Sequence, residues 1–337
     1  MSLVLETAVR LMQAESTSGA EQAVLTAVET LLQERGWRIT RIPVAPARWD
    51  VYAEKLPVPA LTFSTHLDTV PPYIPPRVEG GRLWGRGACD AKGIAAAMIV
   101  AADRLAERGI ATGLLFVVGE EVSHDGAHAA NAWAVAERVP SRVLINGEPT
   151  ESALAVGTKG AIRATVRTEG RAAHSAYPHL GRSATRDLVH LLAELETIPL
   201  PLDELLGETT INIGMLSGGV ADNVTAPWAE ARIMARLVGP TEELQAIIEA
   251  WAEGRATVTW GALVPPVRLG VVEGFPTCVA AYATDIPELG RWGTPYLFGP
   301  GSIHVAHTDA EHVELAELAA AVAAYERLAV GALAQSR

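Results

Sequence analysis

The 337-residue chain predicts an α/β fold: a mixed, mostly parallel sheet sandwiched by helices, with a ferredoxin-like α+β domain inserted into it. The first observation behind this is a set of short apolar runs at residues 60–64, 114–118 and 142–145, separated by helical stretches at 93–108 and 126–138. Runs of strand length that are nearly all apolar suit parallel strands covered on both faces, and their alternation with helices suits an α/β sandwich. The second observation is a change of pattern after Thr150, where strands and helices follow the order β-α-β-β-α-β of a split βαβ domain.

The elements follow in order along the chain. Ser18-Gly-Ala-Glu21 matches a capping box, and residues 23–32 after it carry helical periodicity. Extended segments are expected near 37–44 and 49–53, before the three apolar strands and their helices. In the inserted domain the sequence predicts a strand at 161–168, a helix at 183–195, strands at 209–216 and 228–237, a helix at 241–252 and a strand at 256–261. From Pro265 the α/β character returns, with a strand at 295–298 and a closing helix at 313–333. The expected division is therefore a larger domain of residues 1–157 and 264–337 interrupted by a smaller one at 158–263.

Bulk properties narrow the function. The chain has 27 basic and 39 acidic residues, a net charge of −12, which argues against a general surface for nucleic acid or anionic membrane. Cys89 and Cys278 form neither a disulfide framework nor a zinc ribbon. The amino terminus shows no basic region followed by an apolar run, and the longest apolar stretch, residues 93–102, is too short to span a bilayer. A cytoplasmic protein is expected.

Chemistry enters where the apolar strands end. The first runs into Thr65-His66-Leu-Asp68, the second into Gly119-Glu120-Glu121 and the third into Asn146-Gly147-Glu148. Open α/β sheets bind ligands beyond the carboxyl ends of their strands, so these residues share one rim. Carboxylates gathered there repel unless protons or cations intervene. A mixed histidine and carboxylate set suits zinc, whereas magnesium and calcium favour oxygen alone. His66 and Asp68 face the same way on an extended chain, which places Asp68 behind the histidine ring rather than on the metal. Asp90 lies in a glycine-rich turn before a helix, where it is either a cap or a ligand. Adjacent side chains cannot easily point at one spot, so one member of Glu120-Glu121 can bind metal while the other acts as general base. No nucleophile elbow, phosphate-binding loop or H-E-x-x-H helix is present.

These motifs together resemble the two-zinc metallopeptidase family that contains acetylornithine deacetylase, succinyl-diaminopimelate desuccinylase, aminoacylase and carboxypeptidase G. The resemblance covers nearly the whole chain. It rests on Ser64-Thr-His66-Leu-Asp68-Thr-Val-Pro71, Gly85-Arg-Gly-Ala-Cys-Asp90-Ala-Lys-Gly93, Glu120-Glu121, Asn146-Gly-Glu148-Pro-Thr150 and Gly299-Pro-Gly-Ser-Ile-His-Val-Ala-His307-Thr. It implies two zinc ions per chain, replaceable by cobalt or manganese, with His66 and Glu148 on one, Glu121 and His307 on the other, and Asp90 bridging. Asp68 would orient His66, and Glu120 would be general base and proton shuttle. His304 is the fallback for His307, and His312 is expected to be an exposed histidine.

The inserted domain resembles the family's lid and dimerisation domain, which implies a homodimer. There His174, in Ala173-His174-Ser-Ala-Tyr-Pro-His179, corresponds to a histidine that stabilises the oxyanion, and His179 to a structural residue. Asn223, in Gly218-Gly-Val-Ala-Asp-Asn223-Val, and Arg236 correspond to positions that bind the substrate carboxylate, with Lys159 assisting. The glycine-rich segments look most like the acetylornithine deacetylase branch. This implies removal of an acyl group, most simply acetyl, from N-acetylornithine, N-acetylcitrulline or N-acetyl-lysine in amino-acid biosynthesis. A dipeptidase or carboxypeptidase would use the same metals. A non-catalytic binding module would have lost ligands that this chain retains.

Overall fold

Four parallel strands occupy the middle of the main sheet: Thr112–Val117, Leu61–His66, Val143–Asn146 and Thr294–Leu297, side by side in that order. They belong to a computed structural model that describes residues 2–336. Outside them, Arg48–Glu54 pairs antiparallel with Thr112–Val117 and Arg38–Ala45 pairs with Arg48–Glu54, while Leu154–Thr158 runs antiparallel to Thr294–Leu297. The sheet is thus mixed and mostly parallel at its centre, as the apolar runs predict. Every residue of Leu61–His66 and Thr112–Val117 is buried, because helices cover both faces and leave no solvated side for polar alternation.

One layer consists of Leu3–Met12, Gln22–Glu34, Lys92–Glu107 and Leu315–Gln335, whose buried residues share a core cluster with Phe63, Leu114 and Ile145. The other face packs Asp125–Ala136 and the 3-10 segment Ile286–Trp292 through Ala127, Ala130, Leu289 and Trp292. Ala95, Ala96, Ala97, Ala101 and Ala102 keep the helix slim enough for residues 92–102 to lie fully buried. Truncating Phe63 in this core to alanine would cost about 3–5 kcal/mol.

The chain divides into two compact units. Among the described residues, the larger comprises those up to Val156, Arg268–Cys278 and those from Thr284 onward, and the smaller comprises Gly157–Val267 with Val279–Ala283. In the smaller unit the strands run Thr210–Gly218, Trp228–Leu237, Gly160–Glu169, Thr257–Val264, all antiparallel. The helices Ala184–Leu195 and Thr241–Ala252 share a core with alternate residues of those strands, among them Ile162, Val166, Ala231 and Ile233. That is the β-α-β-β-α-β order read from the sequence.

Several features differ from expectation. The helix Leu3–Met12 and a small sheet of Arg77–Glu79, Arg82–Trp84 and His312–Glu314 were not foreseen. The capping box is also corrected. The second helix begins at Gln22 with no side-chain cap bond, because Ser18 donates instead to Asp68 Oδ2 at 2.7 Å. Glu21 accepts from the Gly19 amide and pairs with Arg48 at 2.8 Å.

Candidate active site

The parallel strands deliver the site residues to one rim. His66 is the last residue of Leu61–His66. The neighbouring strand Thr112–Val117 leads through Gly119 to Glu120-Glu121, and Val143–Asn146 leads through Gly147 to Glu148. Gly119 has φ +75°, and a Cβ there would meet Asp125 Oδ1 at 2.2 Å; only glycine makes this turn without strain. The fourth strand, Thr294–Leu297, leads into the loop that carries His307. Asp90 comes from the turn before Lys92–Glu107, where a Cβ on Gly93 would meet the Ala88 carbonyl at 2.1 Å, so turn and helix fit only with glycine there.

Asp90 lies between two imidazoles. His66 Nε2 is 3.0 Å from Asp90 Oδ1, and His307 Nε2 is 3.1 Å from Asp90 Oδ2. His66 Nε2 also lies 3.8 Å from Glu148, and His307 Nε2 lies 3.0 Å from Glu121. A Glu120 oxygen falls within 4.8 Å of ligand atoms of both His66 and Glu148. His307 has φ 62°, a left-handed conformation that non-glycine residues adopt mainly where the surroundings enforce it. His304 is exposed, and His312 turns its Nδ1 to the Ala310 carbonyl at 2.7 Å and packs on Trp84. Of the three C-terminal histidines, His307 is the one brought to the cluster.

The electrostatics are those of an anionic pocket. Burial pushes the Glu120 and Glu148 carboxyls well above their ordinary range, and mutual repulsion adds to it: Glu148, Asp285 and Glu121 act on Glu120, and Asp90, Glu121 and Asp285 act on Glu148. Burial opposes a charge on His66, but Glu148, Asp68 and Asp90 outweigh it and hold the ring protonated well above its ordinary value. Hydrogen bonds to Asp90 and Glu121 raise His307 to about 10. Burial would raise Asp90, yet the two histidines hold it below its ordinary range. Such a set, with more carboxylates than imidazoles gathered in one place, fits divalent cations, which would offset the repulsion and displace the protons. The donor atoms, imidazole nitrogen and carboxylate oxygen, suit zinc.

Asp68 does more than was expected of it. The His66 Nδ1 sits 2.9 Å from the Asp68 backbone carbonyl and 3.6 Å from its carboxylate. The carboxylate accepts the amides of Glu120 and Glu121 at 3.1 and 3.2 Å and the hydroxyl of Ser18. It therefore fixes the turn that carries the acidic pair. Sequence reasoning missed Ser18 by assigning it to a cap, and it missed Glu311. Glu311 pairs with buried Arg86 at 2.6 Å and accepts the amides of Gly87, Cys89 and Asp90 at 2.8, 3.3 and 3.3 Å. The available signal was the charged Arg86 inside an otherwise small-residue turn.

The other expected residues lie in the smaller unit. His174 is exposed and bridges to Val224, with its Nδ1 accepting the Ala176 amide at 3.1 Å, so Nε2 carries the hydrogen in the neutral ring. The Asn223 carbonyl accepts the Ser175 amide at 2.9 Å, which ties the two loops together. His179 is exposed beside Tyr177. Arg236 is half-buried, and burial together with Arg163 lowers its pKa. It sits opposite Thr210 and Ala161, whereas the Gly218 that opens the Asn223 loop sits opposite Ala229. Seven residues of strand, about 23 Å, separate these positions, so the structure does not bring Arg236 to Asn223 within this unit. Lys159 donates its ammonium to the Glu208 carbonyl at 2.6 Å.

The profile of peptidase family M20/M25/M40 matches residues 62–330, a span that takes in every residue of this rim. The chain belongs to that family. A probable carboxypeptidase from Aspergillus clavatus is 38% identical over 371 aligned residues, covering 97% of this M20 chain and 82% of that protein. Among solved structures, a tripeptidase from Staphylococcus aureus superposes with a TM-score of 0.81 at 20% identity, covering 98% of both chains. A dinuclear metal-binding M20 peptidase from Bacillus subtilis gives 0.72 at 16% identity, covering 97% and 96%. These relatives do not single out the acetylornithine deacetylase branch suggested by the motifs.

Proposed function

We propose that this M20 chain is a two-metal amidohydrolase that releases an amino acid from a short peptide or an N-acylated amino acid. The observation that carries this is Asp90, with one oxygen toward His66 and the other toward His307. A carboxylate placed so would be able to serve two cations. His66 and Glu148 would hold one, and His307 and Glu121 the other; zinc fits the donors, and cobalt or manganese could substitute. Bound cations would supply Lewis acidity for the scissile carbonyl and for water. The protein's own contribution is proton movement. Glu120, beside the ligands but not between the histidines, takes the proton of the attacking water and passes it to the leaving nitrogen. Its burial favours this, since a carboxylate raised from its ordinary range is a stronger base.

The carboxypeptidase or dipeptidase reading takes support from the name of the fungal relative. The deacylase reading, with N-acetylornithine, N-acetylcitrulline or N-acetyl-lysine as substrates, rests on the glycine-rich segments. Incubating the zinc-loaded protein with dipeptides and with N-acetyl amino acids, and measuring free amino acid, separates them. Release from neither set would sink the proposal.

We also assign the chain a homodimer through the smaller unit. The edge strand Thr210–Gly218 exposes Ile213, Met215 and Leu216, and an unpaired edge with apolar side chains invites a partner. His174 and Asn223 lie far from Arg236 in one unit, as expected if residues of two copies complete each substrate site. Cys89 and Cys278 are unpaired, which suits a reducing compartment such as the cytoplasm. Among the described residues no helix is long and apolar enough to cross a membrane.

A further inference from the structure

Two groups near Glu120 play no part in the ligand set. His124 Nδ1 lies 2.5 Å from Asp285 Oδ1, and Asp285 is only 2% exposed. Ligand atoms of Glu120, His124 and Asp285 all fall within 4.8 Å of one another. His124 precedes the helix Asp125–Ala136 with φ 53° and ψ 19°, so the chain adopts a left-handed turn at a residue with a full side chain.

The geometry has a chemical consequence. A protonated imidazole has two N–H donors on opposite sides of the ring, and Asp285 takes one of them. Burial works against that charge, but the hydrogen bond to Asp285 and the fields of Asp285, Glu288 and Asp68 outweigh it. A ring nitrogen of His124 also lies within 4.8 Å of a Glu120 oxygen, a span that a small rotation or one bridging water would close. His66, the other imidazole near Glu120, already faces Asp90 and Glu148.

We infer that His124, anchored on Asp285, is the positioning residue that holds the Glu120 carboxylate in the orientation from which it moves a proton. This rests on the reading of Glu120 as the base. His66 and His307 face the metal-ligand carboxylates, whereas His124 faces Asp285 beside the base.

The test uses the full-length protein reconstituted with zinc, the peptide or N-acetyl amino acid that the wild type hydrolyses best, and elemental analysis of bound zinc. His124→Ala should keep the wild-type zinc content and a KM within about twofold, while kcat falls about tenfold or more, the scale of a misplaced catalytic group. His124→Gln, whose amide nitrogen carries two hydrogens, should recover part of kcat. An unchanged kcat in His124→Ala would overturn the inference, as would a loss confined to KM. Loss of one zinc equivalent would make the three groups a cation site and overturn it too. If His124→Ala does not fold, Asp285→Asn carries the test: it should lower kcat at constant KM, and wild-type kcat would overturn the inference. Glu120→Gln is measured in parallel. Full activity there removes the base reading itself, whereas an inactive Glu120→Gln beside a fully active His124→Ala removes only the role of His124.

Discussion

Asp90 and Glu120 sit within one rim yet are asked to do different work, and substitution separates them. Glu120→Gln should leave metal content and KM near wild type and lower kcat about 10²–10⁴-fold, the usual worth of a general base; equal loss of metal would make it a ligand. Glu311 acts one shell further out, where Arg86 and the three amides of the Asp90 turn meet its carboxylate. Glu311→Gln would leave Arg86 buried without its counter-charge, a change that costs about 3–5 kcal/mol and should weaken metal binding about 10–100-fold. Urea denaturation and a zinc titration read the two effects, and wild-type values for both would refute this role. At this scale His66, Asp90, Glu121 and Glu148 were legible because each follows an apolar run or a glycine turn that has no use for a charge. Glu311 was not, because an acid on a loop between Ala310 and His312 looks like solvated surface until Arg86 folds onto it.

Between elements, the decisive link is the segment of Ser16 to Ser18 laced to Leu67–Thr69. Ser16 Oγ donates to the Leu67 carbonyl at 2.7 Å, the Thr69 amide to the Ser16 carbonyl at 2.9 Å, and Ser18 Oγ to Asp68. Asp68 in turn holds the Glu120-Glu121 turn. Ser18→Ala therefore removes a hydrogen bond to a buried carboxylate, worth about 1.5–3 kcal/mol, and should lower thermal stability and kcat together. A melting temperature and kcat equal to wild type would contradict the link. The sequence pattern S-x-x-E suggested a helix cap here, and the local rule lost to a tertiary partner fifty residues away. The strands were easier to read, since full burial on both faces leaves nearly continuous apolar runs. The sheet of Arg77–Glu79, Arg82–Trp84 and His312–Glu314 has strands too short to show a period, and helix Leu3–Met12 is ten residues carried by packing rather than by a cap.

Across the whole molecule, the clustered charges tie stability to metal and pH. Without metal, Glu120 and Glu148 hold protons in the folded state that the unfolded chain releases near the ordinary value of 4.5, so stability falls as pH rises above that point. His66 and His307 act with the same sign: their paired, protonated forms stabilise fully below about 6.5, and the contribution is lost as pH rises, toward about 10 for His307. Asp90 and Asp68, both held low, stabilise the fold above about 3.8, and that contribution is lost only as pH falls into the acid range. Metal replaces those protons, so its stabilisation should grow with pH. Thermal melts with and without chelator should show a gap that widens from pH 5 to pH 8, and a narrowing gap would mean the carboxylates are not the metal site. The split βαβ order of the smaller unit was readable from alternating runs. The separation of Arg236 from Asn223 was not, because it depends on strand register.

The most direct test is the zinc content of the reconstituted protein, measured by elemental analysis alongside amide hydrolysis for wild type and Asp90→Ala. About two zinc ions per wild-type chain are expected, with both zinc and hydrolysis lost when Asp90 is removed. A wild-type chain that binds less than one zinc, or hydrolysis that survives Asp90→Ala and complete chelation, would contradict that expectation.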